Sequence, residues 1–148
     1  MEIHQVAPGE WRLWRDIRLE ALSSDPEEFG ATLAVEREYG ETEWRDRAAE
    51  GLKVVALDTT LDSEPVALVA ATAKPEGLYL YSMWVRPSHR GRGLGEALVR
   101  AVLEWAAGEG WKVVTLRVWV DNLPARRLYR RLGFVQAEDP EYMNYQVS

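Results

Sequence analysis

Near the middle of the chain the sequence reads Val85-Arg86-Pro87-Ser88-His89-Arg90-Gly91-Arg92-Gly93-Leu94-Gly95-Glu96. Residues 78–85 have the composition of a strand, and residues 94–107 place apolar side chains at helical spacing. Glycines at positions 91, 93 and 95 keep side chains away from the backbone, so successive N–H groups can converge on an anion at the helix N-terminus. The segment therefore predicts a strand-to-helix turn that can hold a pyrophosphate.

Three kinds of glycine-rich turn compete for this segment. A nucleoside-triphosphate loop requires Lys-Ser or Lys-Thr after its glycines, and neither pair follows here. A dinucleotide-binding turn requires Gly-x-Gly-x-x-Gly, but Glu96 stands where the third glycine belongs. The third alternative is a glycine-rich turn with a basic surface, since Arg86, Arg90 and Arg92 lie in a stretch without acids, residues 78–95. The turn alone does not decide between an anion site and a basic surface.

The surrounding sequence alternates between strand and helix patterns in the order β-α-α-β-β-β-α-β-α-β-β. Strands are predicted at residues 2–6, 52–58, 65–72, 78–85, 113–120, 134–137 and 142–147. Helices are predicted at residues 11–22, from Pro26, and at residues 42–50, 94–107 and 124–132. Because a helix joins strands 78–85 and 113–120, these two should run parallel with a right-handed crossover, inside a largely antiparallel sheet. The sequence thus predicts a mixed α/β sheet.

Length and composition indicate one domain spanning residues 1–148. The chain is 47% hydrophobic and 28% charged, has no cysteine and two histidines, and carries a formal net charge of −6. Without cysteine there is no disulfide, no thiolate metal site and no acyl-cysteine intermediate. The sequence begins without a secretory leader and has no apolar run of transmembrane length. We therefore expect a cytoplasmic protein with no metal, no nucleic-acid partner and no membrane attachment.

Charge is distributed unevenly along the chain. Residues 1–64 hold sixteen Asp and Glu against seven Lys and Arg, whereas residues 65–148 hold eight against eleven. Solvated helix faces account for most of these residues. A more specific interpretation is that the second half meets an anionic cofactor while the first half attracts a cationic acceptor.

A second motif follows the predicted parallel strands, where the sequence reads Asn122-Leu123-Pro124-Ala125-Arg126-Arg127-Leu128-Tyr129-Arg130-Arg131-Leu132-Gly133-Phe134. This segment is similar to the N-x-x-A-x-x-L-Y-x-x-x-G-F signature of the GNAT superfamily of acyl-CoA-dependent N-acyltransferases. Residues 90–95 match that family's pyrophosphate loop, R/Q-x-x-G-x-G/A, and the element order resembles the family's throughout the chain. The resemblance implies a GNAT-like α/β (α+β) fold. Its sheet is mixed and mostly antiparallel, with one central parallel strand pair splayed to hold coenzyme A and helices on both faces.

The resemblance also implies the residues of a cofactor site. Backbone groups of Met83 and Val85 would pair with pantetheine. Asn122 would contact the cofactor arm through its side-chain amide, and Tyr129 would lie near the thioester sulfur. The pyrophosphate would be held by the backbone amides of Arg90, Gly91, Arg92, Gly93, Leu94, Gly95 and Glu96.

These residues suggest direct transfer of an acetyl group from acetyl-CoA to a primary amine, on a small molecule or a peptide N-terminus, in a ternary complex. The backbone N–H of Val85 would stabilise the developing oxyanion. Tyr129 would protonate the departing thiolate, although packing of a short helix is its alternative role. No general base is assigned, because the candidates are better explained as surface residues. These candidates are Glu36, Glu38, Tyr39 and Glu76.

Several alternatives stay open at this level. The chain could be a non-catalytic acyl-CoA-binding regulatory module instead of an enzyme. His89 fits a phosphate contact and a solvated turn equally well, and Trp84 and Trp119 fit the core better than acceptor stacking. A solvated helix face explains most of Arg126, Arg127, Arg130 and Arg131 better than a contact with the 3′-phosphate or a nucleic acid.

The sequence does not identify the acceptor. Its recognition would depend on residues 24–45 and on the terminal strand pair. A homodimer is an expectation by analogy with similar proteins.

Overall fold

The computed structural model describes residues 1–29 and 32–148. The described residues form seven strands: β1 (Glu2–Gln5), β2 (Leu52–Asp58), β3 (Glu64–Lys74), β4 (Gly77–Val85), β5 (Val113–Arg117), β6 (Val135–Gln136) and β7 (Tyr142–Gln146). They also form six α-helices: α1 (Trp11–Ser24), α2 (Pro26–Phe29), α3 (Leu33–Glu36), α4 (Glu41–Ala49), α5 (Leu94–Gly108) and α6 (Leu123–Arg131).

One sheet contains all seven strands, in the order β1-β2-β3-β4-β5-β7-β6. Every neighbouring pair is antiparallel except β4 and β5, which are parallel and joined through α5. A parallel pair needs such a crossover because a short turn cannot bring the chain back to the same end of the sheet. The predicted mixed, mostly antiparallel sheet with one central parallel pair is confirmed.

Two hydrophobic cores cover the two faces of the sheet. On one face α5 packs against the central strands through Leu98, Val99 and Val102, which are fully buried. On the other face α1 and α4 pack through residues such as Ile17 and Trp44. The strand β2 is buried along its whole length and contributes alternate residues to each core, as the two-residue period of a strand requires. Helices on both faces are therefore confirmed.

Apart from shifts of one or two residues at the ends of elements, two features differ from the sequence prediction. The fifth strand ends at Arg117 and not at Val120, because the N–H of Asn122 bonds to the carbonyl of Trp119 and closes a turn there. The helix α3 was not predicted, since four residues are too few to show a helical period.

Candidate active site

A cleft opens where the parallel strands diverge. The strands β4 and β5 pair at Leu78, Tyr79 and Leu80 of β4, and their pairing stops after Leu80 and Leu116. Beyond that point lies a cleft of about 750 Å³. Its walls include residues 79–85 and 116–119. The other wall residues are Arg90 and Gly91 from the glycine-rich turn, Arg18 of α1, Asp25 between α1 and α2, Phe29 of α2, and Asn122, Pro124, Ala125, Leu128 and Tyr129 at α6.

The fourth strand bends into this cleft through a β-bulge. Its register with β3 shifts between Tyr81, which faces Ala70, and Trp84, which faces Leu68. Ser82 and Met83 therefore oppose a single β3 residue. Ser82 has a φ of +60°, in the left-handed region that few residues other than glycine adopt.

The backbone of Val85 faces the cleft. The N–H of Arg86 donates to the carbonyl of Val66 at 2.8 Å, and Val85 lies opposite Ala67 in the same ladder. Because backbone groups of an antiparallel ladder alternate in direction, the N–H and C=O of Val85 point away from β3, toward the gap beside β5. Its carbonyl accepts a hydrogen bond from Nε of Arg90 at 2.8 Å. A ligand amide would have to displace Arg90 to use that carbonyl.

The glycine-rich turn joins the cleft to the start of α5. Gly91 and Gly93 have φ angles of +77° and +80°, which an L side chain would strain, and Gly93 caps the helix without a side chain of its own. The first helical N–H groups, from Leu94 to Glu96, have no carbonyl one turn earlier within the helix. This positive helix end is a site for an anion.

Two further features keep the start of α5 close to the cleft wall. A Cβ on Gly95 would lie 3.3 Å from Cε of Met83 and 3.6 Å from Leu128, so glycine permits this close packing of α5 against β4 and α6. The Glu96 carboxylate bonds to Arg100 and Arg131, at 3.2 Å and 3.3 Å. These two arginines therefore neutralise the negative charge of the Glu96 carboxylate at the start of α5.

The two motif residues at α6 both lie at the cleft. Asn122 caps the helix, with its Oδ1 accepting from the N–H of Ala125 at 3.3 Å. Tyr129 is 6% exposed, and its ring meets Phe134 edge-on at a centroid distance of 5.7 Å. The buried ring lies in the hydrophobic core as well as at the cleft, so a packing contribution of Tyr129 is established whatever else it does.

Most of the sequence-predicted cofactor residues meet at this cleft. Met83, Val85, Arg90, Gly91, Asn122 and Tyr129 line it. The rest of the predicted set lies at the adjoining turn and first helical turn, outside the cleft wall itself. These residues are Arg92, Gly93, Leu94, Gly95 and Glu96.

His89 is not the solvated turn residue that was one of its two predicted roles. It is 6% exposed, and its Nε2 lies 2.7 Å from Oδ2 of Asp58 at the end of β2. Hydrogen bonds from Thr60, together with the His89 contact, lower the pKa of Asp58. His89 therefore ties the glycine-rich turn to the sheet.

The arginine-rich helix and the tryptophans also differ in part from expectation. Arg126 is only 2% exposed and donates to the carbonyl of Pro140 at 2.9 Å, so it is not on a solvated face. Trp84 is buried, as expected, and its Nε1 donates to Asp25 at 2.6 Å. Trp119 is 54% exposed beneath the Arg117 guanidinium, so it is not part of the core.

Of the four candidate bases, Glu36 has surroundings unlike those expected. It is 4% exposed and forms a two-pronged ion pair with Arg18. Burial alone would raise the pKa of Glu36, but the hydrogen bonds and charge of Arg18 outweigh burial and lower it. Glu38 and Glu76 are exposed, and Tyr39 packs edge-on against Trp44. A carboxylate engaged by arginine is a poor base, so no base is assigned from these residues.

Three cleft residues, Arg18, Asp25 and Arg117, were not predicted from the sequence. Arg18 lies one helical turn after Trp14 on the buried stripe of α1, and this position of a charged residue among core residues was a usable signal. Asp25 and Arg117 carry no comparable signal, since each lies at the end of an element. Residues 30 and 31, within the segment expected to recognise the acceptor, lie outside the described residues.

The described helices include none long and apolar enough to cross a membrane. No three His, Asp or Glu side chains in residues 1–29 and 32–148 come together as metal ligands would.

The sequence of this chain is similar to those of known acetyltransferases. Residues 11–134 fit the model of the acetyltransferase (GNAT) family. Mycothiol acetyltransferase of Renibacterium salmoninarum is 28% identical over 89% of this chain, which spans only 39% of that protein. The other curated relatives compared are also longer, and the chain covers from about a fifth to about half of their lengths.

Two solved structures share the whole fold. PaiA N-acetyltransferase of Thermoplasma acidophilum, in complex with coenzyme A, superposes with a TM-score of 0.73 at 14% identity, over 98% of both chains. An aminoglycoside acetyltransferase from an uncultured soil metagenomic sample gives a TM-score of 0.74 at 26% identity, over 93% of this chain and 92% of that one. The family model, the sheet with its diverging parallel pair and the glycine-rich turn agree, and the chain belongs to the GNAT family of acetyltransferases.

Proposed function

We propose that this chain transfers the acetyl group of acetyl-CoA directly to a primary amine, on a small molecule or a peptide N-terminus. The observation that carries the proposal is the cleft between β4 and β5, which adjoins the positive end of α5. A cleft beside an anion site suits a cofactor with a diphosphate and a long neutral arm. Family membership supports the same chemistry.

In the proposed complex, the pantetheine arm lies along β4 and pairs with the backbone of Met83 and Val85. The diphosphate meets the amides of residues 90–96, and Asn122 contacts the cofactor arm. The φ angles of Gly91 and Gly93 support this arrangement because they bring backbone, and not side chains, to the anion. The guanidinium of Arg90 leaves the Val85 carbonyl as the arm enters.

The proposed reaction needs one attack and two proton movements. The neutral amine nitrogen attacks the thioester carbonyl carbon, and the π electrons move to the carbonyl oxygen, where the Val85 N–H stabilises the charge. The C=O bond then re-forms as the C–S bond breaks. Tyr129 donates its phenolic proton to the sulfur, the amine nitrogen loses a proton, and that proton returns through solvent to the Tyr129 phenolate. The products are an amide and the coenzyme A thiol, and no acyl-cysteine forms, since the chain has no cysteine.

The charges around the cleft favour an acceptor with one amine over a polycation. The wall contains Arg18, Arg90 and Arg117 but, among the described residues, only one carboxylate, Asp25. A small-molecule acceptor is consistent with the relatives above, of which one is named for mycothiol and another for aminoglycosides. An aminoglycoside carries several positive charges, and this wall offers it little negative charge to bind.

The proposal predicts that Tyr129→Phe lowers kcat by about a hundredfold, since a positioned general acid contributes on the order of 10²–10⁴. Purified protein is incubated with acetyl-CoA and a panel of amines while free thiol is followed, and coenzyme A affinity is measured in parallel. Affinity should change by less than about twofold, because the variant loses one hydroxyl and keeps the ring that packs on Phe134. Tyr142→Phe, a half-buried tyrosine of β7, is the matched control.

Two outcomes would contradict the proposal in different ways. Unchanged turnover in the Tyr129 variant would remove Tyr129 from the mechanism. Coenzyme A binding without turnover on any amine would indicate the alternative, a non-catalytic acyl-CoA-binding regulatory module.

A further inference from the structure

A series of hydrogen-bonded polar side chains connects α3 and α1 to the bulge of β4. Arg18 of α1 donates from Nε and Nη2 to the two carboxylate oxygens of Glu36, each at 3.0 Å. Its Nη1 donates to Oγ of Ser82 at 2.7 Å. The side chains of Arg18 and Glu36 are 14% and 6% exposed, so the connection is largely shielded from water.

Ser82, which accepts the hydrogen bond from Arg18, has an unfavourable backbone conformation. Ser82 is the first residue of the bulge, and a left-handed residue at that position is usually glycine. The other two non-glycine residues with positive φ in the described part of the chain, Asp62 and Ser63, lie in the turn between β2 and β3. A strained residue inside a strand persists only when its surroundings hold it there.

The direction of the backbone beyond the bulge depends on this conformation. Because side chains and backbone groups alternate with a period of two, the extra bulge residue decides which N–H groups of β4 face β3 and which face the cleft. With the bulge, the N–H of Val85 faces the cleft. Without it, the register after Ser82 would move by one residue, and the N–H of Val85 would turn toward β3.

We propose that Glu36 and Arg18 are positioning residues that hold Ser82 in its left-handed conformation and thereby aim the Val85 N–H at the thioester. The inference rests on the acetyl-transfer function proposed above. Glu36 fixes the guanidinium with two hydrogen bonds, and the remaining Nη1 is then directed at Ser82. Arg18 acts through the backbone of β4 and needs no contact with the acceptor.

A double-mutant cycle separates this role from a direct contact with the acceptor. Arg18→Met is introduced into the wild-type protein and into Ser82→Gly, and kcat and KM are measured for all four proteins. In the wild-type background Arg18→Met should lower kcat about tenfold while changing KM for acetyl-CoA less than about twofold. In the Ser82→Gly background its effect on kcat should fall below about twofold, because glycine adopts the left-handed conformation without support.

Two kinetic results would overturn the inference. One is an equal loss of kcat on substituting Arg18 in both backgrounds, which would indicate a direct contact with the acceptor. The other is an unchanged kcat in Arg18→Met. The control is Arg12→Met, which removes an exposed arginine from the same helix and should leave turnover unchanged.

A second measurement does not depend on turnover. Backbone coupling constants and carbon chemical shifts of Ser82 report its φ angle by NMR in the protein without ligand. We expect left-handed values in the wild type and in Arg12→Met, and extended values in Arg18→Met. A left-handed Ser82 in Arg18→Met would overturn the inference. If the wild type acetylates no amine, the proposed function fails, and this NMR comparison still decides whether Arg18 holds the bulge.

Discussion

Lys53 is a buried cation on the face of the sheet that packs against α1. It is 3% exposed, its Nζ donates to the backbone carbonyl of Glu50, and it lies 5.7 Å from the ring centre of Trp14. Burial, helped by the nearby charges of Arg47 and Arg18 and opposed by Glu50, lowers the pKa of Lys53 to about 8. The folded protein therefore holds this proton less tightly than the unfolded chain, in which a lysine has a pKa of about 10.4.

This difference predicts a rise in stability at alkaline pH. Between pH 8 and about 10.4 the unfolded chain binds a proton at Lys53 that the folded protein has released, so the free energy of unfolding increases with pH. The expected gain is about 3 kcal/mol over that interval, at about 1.4 kcal/mol per pKa unit. Urea unfolding of the wild type and of Lys53→Met at several pH values measures it as the difference between the two proteins. A difference that stays constant with pH would contradict the prediction.

The sequence indicated the candidate-site residues that belong to local motifs, but not those that only tertiary contacts bring to the cleft. The turn glycines, Asn122 and Tyr129 belong to local patterns and could be named from them. The left-handed conformation of Ser82 and the burial of His89 could not be predicted, because their partners, Arg18 and Asp58, are distant in the chain. Contacts of this kind leave no trace in local spacing.

At the scale of elements, the predicted strands and helices agree with the structure because most have a clear period and end at glycine, proline or a polar turn. The bulge in β4 had no such signal, since Ser82 occupies a conformation typical of glycine. The end of β5 was misplaced because residues 118–120 are apolar and β-branched or aromatic, although the chain already turns there. Composition alone does not distinguish a strand from such a turn.

The helix α6 is attached to the sheet through one buried arginine. Arg126 donates to the carbonyls of Pro140 and Val118 and to the side chain of Gln136. Because Asn122 and Tyr129 lie on the same helix, the position of both cleft residues depends on this attachment.

We predict that Arg126→Met lowers the free energy of unfolding by about 2–3 kcal/mol, because it leaves buried acceptors without donors. Thermal or urea unfolding monitored by circular dichroism measures the loss. Arg127→Met is the control, since Arg127 is exposed on the same helix and its substitution should stay within about 0.5 kcal/mol of the wild type. Equal stability of the two variants would show that the buried arginine does not anchor α6.

For the whole molecule, charge in the sequence does not translate directly into charge at the cleft. The first 64 residues carry all of the excess acid, which suggested attraction of a cationic acceptor. In the structure Glu36 is neutralised by Arg18, and Asp25 bonds to Trp84 and Arg90. The cleft wall is consequently not acidic, although the first half of the chain carries an excess of acidic residues.

We therefore predict that monoamines are better acceptors than polyamines of similar size. The ratio of kcat/KM should favour the monoamine by about tenfold at low salt, because Arg18, Arg90 and Arg117 already engage the carboxylates beside the described cleft wall and leave none free for a second ammonium group. Arg117→Gln should reduce that preference, because it leaves the carboxylate of Glu141 unpaired at the exposed rim. Faster turnover of the polyamine at low ionic strength would refute this account of the acceptor.

The proposed function requires the glycine-rich turn to bind the cofactor diphosphate, and calorimetric titration with coenzyme A tests this most directly. We predict micromolar affinity for the wild type and for Gly108→Ala, a control at the end of α5 with open space around it. In Gly93→Ala, affinity should fall about tenfold, because a side chain strains the φ of +80° that presents the amides. No measurable affinity in the wild type, or equal affinity in the Gly93 variant, would contradict the account.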